Sequence, residues 1–126
     1  MNIAVIGTGY VGLVSGTCFA ETGNQVICVD INESKIESLR NGVVPIFEPQ
    51  LDVLFERNVR QERLTFTTSL KDAVNKSDII FLALPTPPGE DGSADLSYVI
   101  GVASELGNIM TDYKVIVDKS TVPVGT

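Results

Sequence analysis

Three glycines near the amino terminus have a spacing that suits contact with a phosphate group. Gly7, Gly9 and Gly12 form the pattern G-x-G-x-x-G directly after the apolar run at 3–6. In such a turn the first glycine permits a sharp bend, the second leaves room for a pyrophosphate, and the third lets the next helix pack closely. The N–H groups at the start of that helix attract phosphates. The pattern predicts a dinucleotide-binding turn, and the alternative is a glycine-rich turn that serves only packing.

A carboxylate follows at the distance where a dinucleotide site needs one. Asp30 ends the apolar run at 25–29, eighteen residues after Gly12. Asn32 is a better cap for the next helix, which leaves Asp30 to accept hydrogen bonds from the adenosine ribose. A 2′-phosphate at that position would meet a like charge, and residues 31–33 include no arginine to bind it. The sequence therefore favours NAD over NADP. Lys35 either reaches the ribose or lies solvated on the helix.

Composition limits the other possibilities. The chain has 126 residues, of which 44% are hydrophobic and 20% charged, and its net charge is −7. These values suit one globular domain, and without a run of Lys or Arg they disfavour a nucleic-acid surface. The first residues lack the basic region of a signal peptide, and no apolar stretch is long enough to cross a bilayer. We therefore expect a cytoplasmic protein without a membrane partner. The absence of histidine excludes an imidazole base among these residues.

The two cysteines lie in predicted regular elements. Cys18 falls in the first helix and Cys28 in the second strand, where cysteine commonly packs as a small apolar residue. Neither has the spacing of a metal ligand. We expect both to be core residues, with no disulfide and no metal site.

Strand-like and helix-like patterns alternate along the chain. Strands are predicted at residues 2–6, 25–30, 64–67, 78–84 and 114–118, and helices at 10–22, 33–40, 49–58, 70–76 and 96–110. This alternation, with right-handed crossovers, predicts an α/β fold with a doubly wound, Rossmann-like parallel sheet. The expected strand order is 3-2-1-4-5, with helices on both faces and one domain at 1–126.

Several local features are also predicted. Gly23 and Asn24 should end the first helix, Pro49 should open the third, and the caps of the second, fourth and last helices should be Asn32, Ser69 and Asp95. The fourth strand is almost wholly apolar, which predicts burial on both faces. The last helix should bury one face, formed by Leu96, Val99, Ile100, Ala103, Leu106 and Met110.

Three loops leave the carboxyl ends of the central strands. They are residues 7–12, 85–94 and 119–126. In a sheet of this order, strands one and four are neighbours with crossovers in opposite directions, and ligands bind at that point. We expect all three loops to line one crevice. Thr86 offers a hydroxyl near the middle or the nicotinamide end of a cofactor, and Thr121 can hold a water or a ring substituent. The alternative for both is a solvated surface loop.

Six blocks together resemble a known family along the whole chain. They are residues 3–12, Asp30 with Lys35, FEP at 47–49, PTP at 85–87, DGSADL at 91–96 and KSTVPVGT at 119–126. The series resembles the N-terminal NAD-binding domain of the nucleotide-sugar dehydrogenase family, and within it the UDP-glucose 6-dehydrogenase branch. The block at 91–96 is more similar to that branch than to the GDP-mannose or N-acetylmannosamine branches. Gln50 stands where many members have glycine.

The resemblance implies an activity and a set of roles. Members of this branch oxidise the C6 alcohol of UDP-glucose twice, with two NAD, to give UDP-glucuronate. The full-length enzyme that contains this chain is expected to be a homo-oligomer. Asp30 and Lys35 would hold the adenosine ribose, Thr86 would contact the cofactor, and Thr121 would contact it and position a catalytic water. The pyrophosphate would lie on Gly7, Gly9, Tyr10, Val11 and Gly12.

The resemblance also implies missing parts. The thioester-forming cysteine, the catalytic lysine and the glutamates of the family lie beyond Thr126, and Cys18 and Cys28 match neither the position nor the context of that cysteine. We therefore expect an N-terminal fragment that binds NAD and is inactive by itself. Two alternatives are an NAD-sensing regulatory domain, as in a potassium transporter, and another NAD(P) oxidoreductase such as a 3-hydroxyacid dehydrogenase.

Overall fold

A parallel sheet of five strands forms the centre of the molecule in the computed structural model, which describes residues 1–126. The strands are β1 (Asn2–Ile6), β2 (Gln25–Val29), β3 (Leu64–Thr67), β4 (Ile79–Leu82) and β5 (Val115–Asp118). The helices are α1 (Tyr10–Glu21), α2 (Glu33–Arg40), α3 (Leu51–Arg60), α4 (Leu70–Asn75) and α5 (Ser97–Ile109).

The order of the strands is β3-β2-β1-β4-β5, and every pair is parallel. This confirms the predicted doubly wound sheet. In the centre, Val5 of β1 pairs with Cys28 of β2 on one side and with Phe81 of β4 on the other. The chain moves outward from β1 to β3 and then crosses to β4, so the order reverses between β1 and β4. The carboxyl ends of these two strands are where such a sheet binds ligands.

Helices cover both faces of the sheet, because successive strand residues point to opposite sides. On one face, α1, α2 and α3 pack on the strands and bury Ile3, Val5, Leu13, Ala20, Val26, Cys28, Ile36, Leu39, Phe55, Leu64 and Phe66. On the other face, α4 and α5 bury Ala4, Ile6, Val29, Ala73, Val74, Ile80, Leu82 and Leu106. The two layers hold the carboxyl ends of β1, β2 and β4 in fixed positions.

Two of the predicted helix caps are confirmed and one is wrong. The Asn32 side chain accepts from the backbone N of Lys35, and that of Ser69 accepts from Asp72. Asp95 lies one residue before the N-cap of α5, and its carboxylate accepts from the N of Ser97. A bond to the second residue onward makes an Asx turn that leads into the helix, so α5 has no side-chain cap.

The limits of α1 and α3 follow from single residues in left-handed backbone. Gly23, with φ of 98°, follows the C-cap of α1 at Thr22, which confirms the predicted helix end. The prediction that Pro49 opens α3 is wrong, because Gln50 has φ of 67° and the helix begins only at Leu51. Many members of the family that the sequence resembles have glycine here, and glycine adopts such a conformation without strain.

Three predictions about burial need correction. In α5, Ile100 is 59% exposed and Ala103 is also exposed, so the packed face consists of Val99, Val102, Leu106, Ile109 and Met110. In β4, Ile79 and Phe81 are only half-buried, whereas Ile80 and Leu82 are buried. Phe81 is covered by Phe19 of α1, with the ring centroids 4.8 Å apart. Cys18 is exposed rather than core, because it points away from the sheet. No helix has the length and apolarity that a membrane span requires.

Candidate functional site

The turn after β1 closes tightly on itself. Gly7 has φ of +109°, and a Cβ there would lie 2.2 Å from the carbonyl oxygen of Ala83. A Cβ on Gly12 would lie 2.0 Å from the carbonyl oxygen of Gly7. Both glycines are therefore required by close backbone approaches. The close packing of α1 on the sheet needs a further glycine that the pattern did not indicate, since a Cβ on Gly16 would lie 2.9 Å from Cys28 Sγ.

Gly9 faces open space at the start of α1. A Cβ built on it has no neighbour within 4 Å. The first bond of the helix runs from the N of Leu13 to the carbonyl of Gly9, and no side chain caps α1. The first turn also contains no acidic residue. The amides at this helix start are thus available to an anion, and the surface beside Gly9 has room for a diphosphate.

Asp30 lies directly after β2, and neighbours already contact both of its carboxylate oxygens. Its Oδ2 accepts from Thr8 Oγ1 at 2.5 Å and from Thr8 N at 3.3 Å, and its Oδ1 accepts from Asn32 N at 3.0 Å. Burial by itself would raise the pKa of Asp30, but these hydrogen bonds and the Lys35 ammonium outweigh it and hold the pKa below its usual range. The carboxylate is therefore ionised and fixed in orientation.

Lys35 and Thr8 lie beside the Asp30 carboxylate, and only the first was a predicted site residue. The Lys35 Nζ lies 3.7 Å from Asp30 Oδ2 and its side chain is 34% exposed. The structure thus places the ammonium next to the carboxylate, and the role of Lys35 at the ribose stays a prediction. Thr8 was missed altogether, because a variable position within G-x-G-x-x-G carries no signal of its own.

A groove of about 830 Å³ opens at the carboxyl end of the sheet. Gly7 and Asp30 line it together with residues of the β3–α4 turn, Pro85 and the first turns of α5. Its size is within the range of cofactor pockets. Among the predicted site residues only Gly7 and Asp30 line it; Thr86, Thr121 and residues 119–126 do not, and neither do Gly9, Tyr10, Val11, Gly12 and Lys35. The prediction that all three loops share one crevice is therefore wrong in this respect, because the third loop follows the outer strand β5.

The second and third loops nevertheless join each other. Thr86 Oγ1 and Thr121 Oγ1 are 2.7 Å apart in a hydrogen bond. Ser120 makes the connection firmer: its hydroxyl accepts from Leu84 N and donates to Leu82 O. Sequence reasoning did not single out Ser120. These bonds place the two predicted threonines side by side at the ends of β4 and β5.

Tyr10 and Val11 have exposed side chains at the start of α1. The phenol of Tyr10 donates to the Glu48 carboxylate, and this bond raises the pKa of Tyr10. The bond ties the loop at 43–50 to α1. The contact of Tyr10 and Val11 with a diphosphate stays a prediction.

Comparison with protein families shows to which family the chain belongs. The model of the UDP-glucose/GDP-mannose dehydrogenase family, NAD binding domain, matches residues 1–126. The chain belongs to this family. Its cofactor is NAD, and the bare helix start at Gly9 fits the diphosphate of that molecule.

Individual members of the family are similar along the whole chain. UDP-glucose 6-dehydrogenase TuaD of Bacillus subtilis (strain 168) is 62% identical over 125 residues, which are 99% of this chain and 27% of that protein. A GDP-mannose dehydrogenase from Pseudomonas aeruginosa, solved as a ternary complex, has a TM-score of 0.95 and 37% identity over 100% of this chain and 30% of that one. A UDP-glucose dehydrogenase from Pyrobaculum islandicum has a TM-score of 0.92 and 42% identity over 98% of this chain and 29% of that one.

Neither cysteine of this dehydrogenase domain has the properties of a nucleophile at the cofactor site. Cys28 is fully buried, and this burial raises the pKa of its thiol to about 12. Cys18 is exposed, but it lies eight residues into α1, about 12 Å along the helix from the phosphate turn.

The two thiols should react very differently with an alkylating reagent. At pH 8 we expect iodoacetamide to modify Cys18 and to leave Cys28 unmodified, since the thiolate is the reactive form and Cys28 holds its proton. Peptide mass spectrometry after brief labelling measures both sites. In denaturant both should react, which is the control. Modification of native Cys28 at the rate of Cys18 would contradict the burial of β2.

Proposed function

We propose that this chain is the N-terminal, cofactor-binding part of an enzyme that oxidises UDP-glucose to UDP-glucuronate in two hydride transfers to NAD. The observation that supports it most is the 62% identity to a UDP-glucose 6-dehydrogenase over nearly the whole chain. The chain spans 27% of that UDP-glucose 6-dehydrogenase and 30% of the solved GDP-mannose dehydrogenase. A substrate domain and a further helix and linker then belong to the rest of the enzyme, and the chain by itself is inactive.

The proposed cofactor site uses the residues around the phosphate turn. The backbone of Gly7, Gly9, Tyr10, Val11 and Gly12 binds the diphosphate. Asp30 and Lys35 bind the adenosine ribose. The support for this assignment is that Gly7 and Asp30 line one groove and that the Lys35 ammonium lies beside the Asp30 carboxylate. An ionised Asp30 also disfavours the 2′-phosphate of NADP.

Thr86 and Thr121 serve the other end of the cofactor in this proposal. When bound, NAD supplies the hydride acceptor for the alcohol of the substrate. Of the two hydroxyls that face each other, one donates to the other, and the second O–H stays available. We assign that free donor to a cofactor group or to a catalytic water, with Thr121 as the catalytic residue, because it is the more exposed of the two.

The substrate is proposed from similarity to named relatives. Relatives at 62% and 54% identity are UDP-glucose 6-dehydrogenases, whereas the similar GDP-mannose dehydrogenase is 37% identical. The enzyme that contains this chain should reduce NAD with UDP-glucose and should be far slower with GDP-mannose and UDP-N-acetylmannosamine. Absorbance at 340 nm measures this directly. A preference for either of the other sugars would overturn the substrate assignment.

Family membership favours this function over the sensor and the 3-hydroxyacid dehydrogenase, since the match extends over all 126 residues. We also propose a cytoplasmic enzyme, as the sequence predicts, and a homo-oligomer, as the family resemblance implies. Cell fractionation and light scattering of the enzyme test these two points.

Removing the Asp30 carboxylate should weaken NAD binding. We expect Asp30→Ala to cost about 1–3 kcal/mol in binding free energy, because the charge-assisted hydrogen bond to the ribose is lost. Titration calorimetry measures the change. Glu33→Ala is the matched control, since it removes an exposed acid three residues away and should leave the affinity unchanged. Equal affinity of Asp30→Ala and the native chain would show that the ribose lies elsewhere.

A further inference from the structure

Thr8 lies inside the phosphate turn, but its side chain contacts the ribose acid. It is 1% exposed, and its hydroxyl donates to Asp30 Oδ2 at 2.5 Å. Its backbone N donates to the same oxygen at 3.3 Å. A buried hydroxyl needs a partner for its proton, and in this structure Asp30 is that partner. The residue therefore cannot contact a ligand directly and acts through the carboxylate.

The contact continues the pairing of two strands beyond their ends. Gly7 N donates to Val29 O at 2.8 Å, which extends the ladder between β1 and β2 by one residue. Beyond this bond the regular register ends: it would place Gly7 opposite Asp30, but it is Thr8 that bonds to Asp30, with the side-chain carboxylate as the acceptor. The turn that faces the diphosphate and the acid that faces the ribose are thus one connected unit.

The number of acceptor positions shows what this contact leaves for a ligand. A carboxylate has about four lone-pair positions. Thr8 takes two on Oδ2, where Lys35 Nζ also lies 3.7 Å away, and Asn32 takes one on Oδ1. One position, on Oδ1, stays open. The two oxygens of Asp30 therefore have different roles. Oδ2 faces Thr8 inside the protein, and Oδ1 is the oxygen that is left to accept from a ribose hydroxyl.

We propose that Thr8 is the positioning residue that sets NAD recognition, because its hydroxyl locks one oxygen of Asp30 inward and presents the other to the ribose. The inference rests on the proposed function, in which Asp30 binds the adenosine ribose. With Thr8 in place, the negative charge has one orientation, and a 2′-phosphate meets it at close range. Without the hydroxyl, the carboxylate is free to turn away from either cofactor, which weakens NAD binding and reduces the discrimination against NADP.

A pair of conservative variants tests the hydroxyl separately from the shape. Thr8→Val keeps the volume and removes the hydroxyl, whereas Thr8→Ser keeps the hydroxyl. We expect Thr8→Val to raise the Kd of NAD about five- to tenfold, less than the loss of a whole hydrogen bond to a charged group because Asp30 itself remains, and to lower the preference for NAD over NADP. Thr8→Ser should stay within about twofold of the native Kd. Titration calorimetry of the 126-residue chain with each dinucleotide measures these values.

A double-mutant cycle distinguishes a positioning role from a purely structural one. If Thr8 acts through Asp30, then Thr8→Val should have no further effect on the Kd of NAD in the Asp30→Ala background. Carbon-detected NMR of the Asp30 carboxyl gives a reading without cofactor: its pKa should rise in Thr8→Val and stay low in Thr8→Ser. Should Thr8→Val fail to fold, Thr8→Ala takes its place with the same expectations.

Two results would overturn the proposal in distinguishable ways. If Asp30→Ala weakens NAD binding but Thr8→Val binds NAD and NADP as the native chain does, the role of Thr8 is wrong and the ribose assignment stands. If Asp30→Ala binds NAD as the native chain does, the ribose assignment itself is wrong and the role of Thr8 fails with it.

Discussion

Gly9→Ala is expected to reduce NAD affinity by on the order of a hundredfold while leaving the stability of the fold unchanged. The backbone of Gly9 has φ of −75° and ψ of −165°, which alanine adopts readily. Its added methyl group meets no protein atom within 4 Å. The same methyl group would occupy the space beside the free amides of α1, where the diphosphate lies in the proposed complex. Loss of two charge-assisted hydrogen bonds, at about 1.5 kcal/mol each, accounts for the magnitude.

Calorimetry on one variant measures both quantities, with NAD titration for the affinity and thermal unfolding for the stability. Gly107→Ala is the matched control, because Gly107 also faces open space but lies on α5, away from the phosphate turn. That control should bind NAD normally and be more stable by about 1 kcal/mol, since alanine is the better helix former. A lower melting temperature of Gly9→Ala with intact NAD affinity would mean that the diphosphate does not lie there.

Gly12→Ala, in contrast to Gly9→Ala, should lower the stability of the fold. The new Cβ would lie 2.0 Å from the oxygen and 2.9 Å from the carbon of the Gly7 carbonyl. Both atoms are backbone, so no side chain can move aside and the turn itself must open. We expect a loss of about 3 kcal/mol in the free energy of unfolding, which lowers the melting temperature by about 10 °C. NAD binding should be lost along with the geometry of the turn.

Gly16→Ala separates strain in α1 from damage to the turn. Its Cβ would lie 2.9 Å from Cys28 Sγ, a side-chain atom outside the cofactor site. The variant should lose stability but retain its NAD affinity, and Cys28→Ala should restore much of the loss by removing the sulfur.

The outcome that contradicts the Gly12→Ala prediction is a variant as stable as the native chain. In that case the close approach of Gly12 to Gly7 would be wrong.

The fold was predictable because its signals are local and mutually consistent. Five apolar runs separated by helical patterns allow few arrangements, and the right-handed crossover rule selects the order that the structure has. Asn32 and Ser69 are caps because a side-chain oxygen three residues before an N–H suffices for that role. Asp95 differs because its carboxylate accepts from the N–H two residues ahead, at Ser97, and not three residues ahead as in a helix cap. This distinction depends on backbone angles and not on residue type.

The wrong predictions about burial concern which side of a helix packs against the core. The repeat in α5 fits two overlapping faces, and only packing against α4 selects the one with Val102 and excludes Ile100. Cys18 lies on the outer side of α1 for the same reason. The bonds that join Thr8 to Asp30 and Thr86 to Thr121 were also beyond prediction. They depend on side chains that are 22 and 35 residues apart, whose approach only the folded sheet determines.

The contact of Thr8 with Asp30 has a consequence for anyone who wishes to convert this domain to NADP. The usual first step, exchange of the acid for a residue that tolerates a phosphate, would leave the hydroxyl of the buried Thr8 without its acceptor. An interior hydroxyl without an acceptor costs about 1–3 kcal/mol, so the single change weakens the scaffold before it can improve the new specificity. A successful redesign has to alter both positions together, with a small apolar residue at position 8.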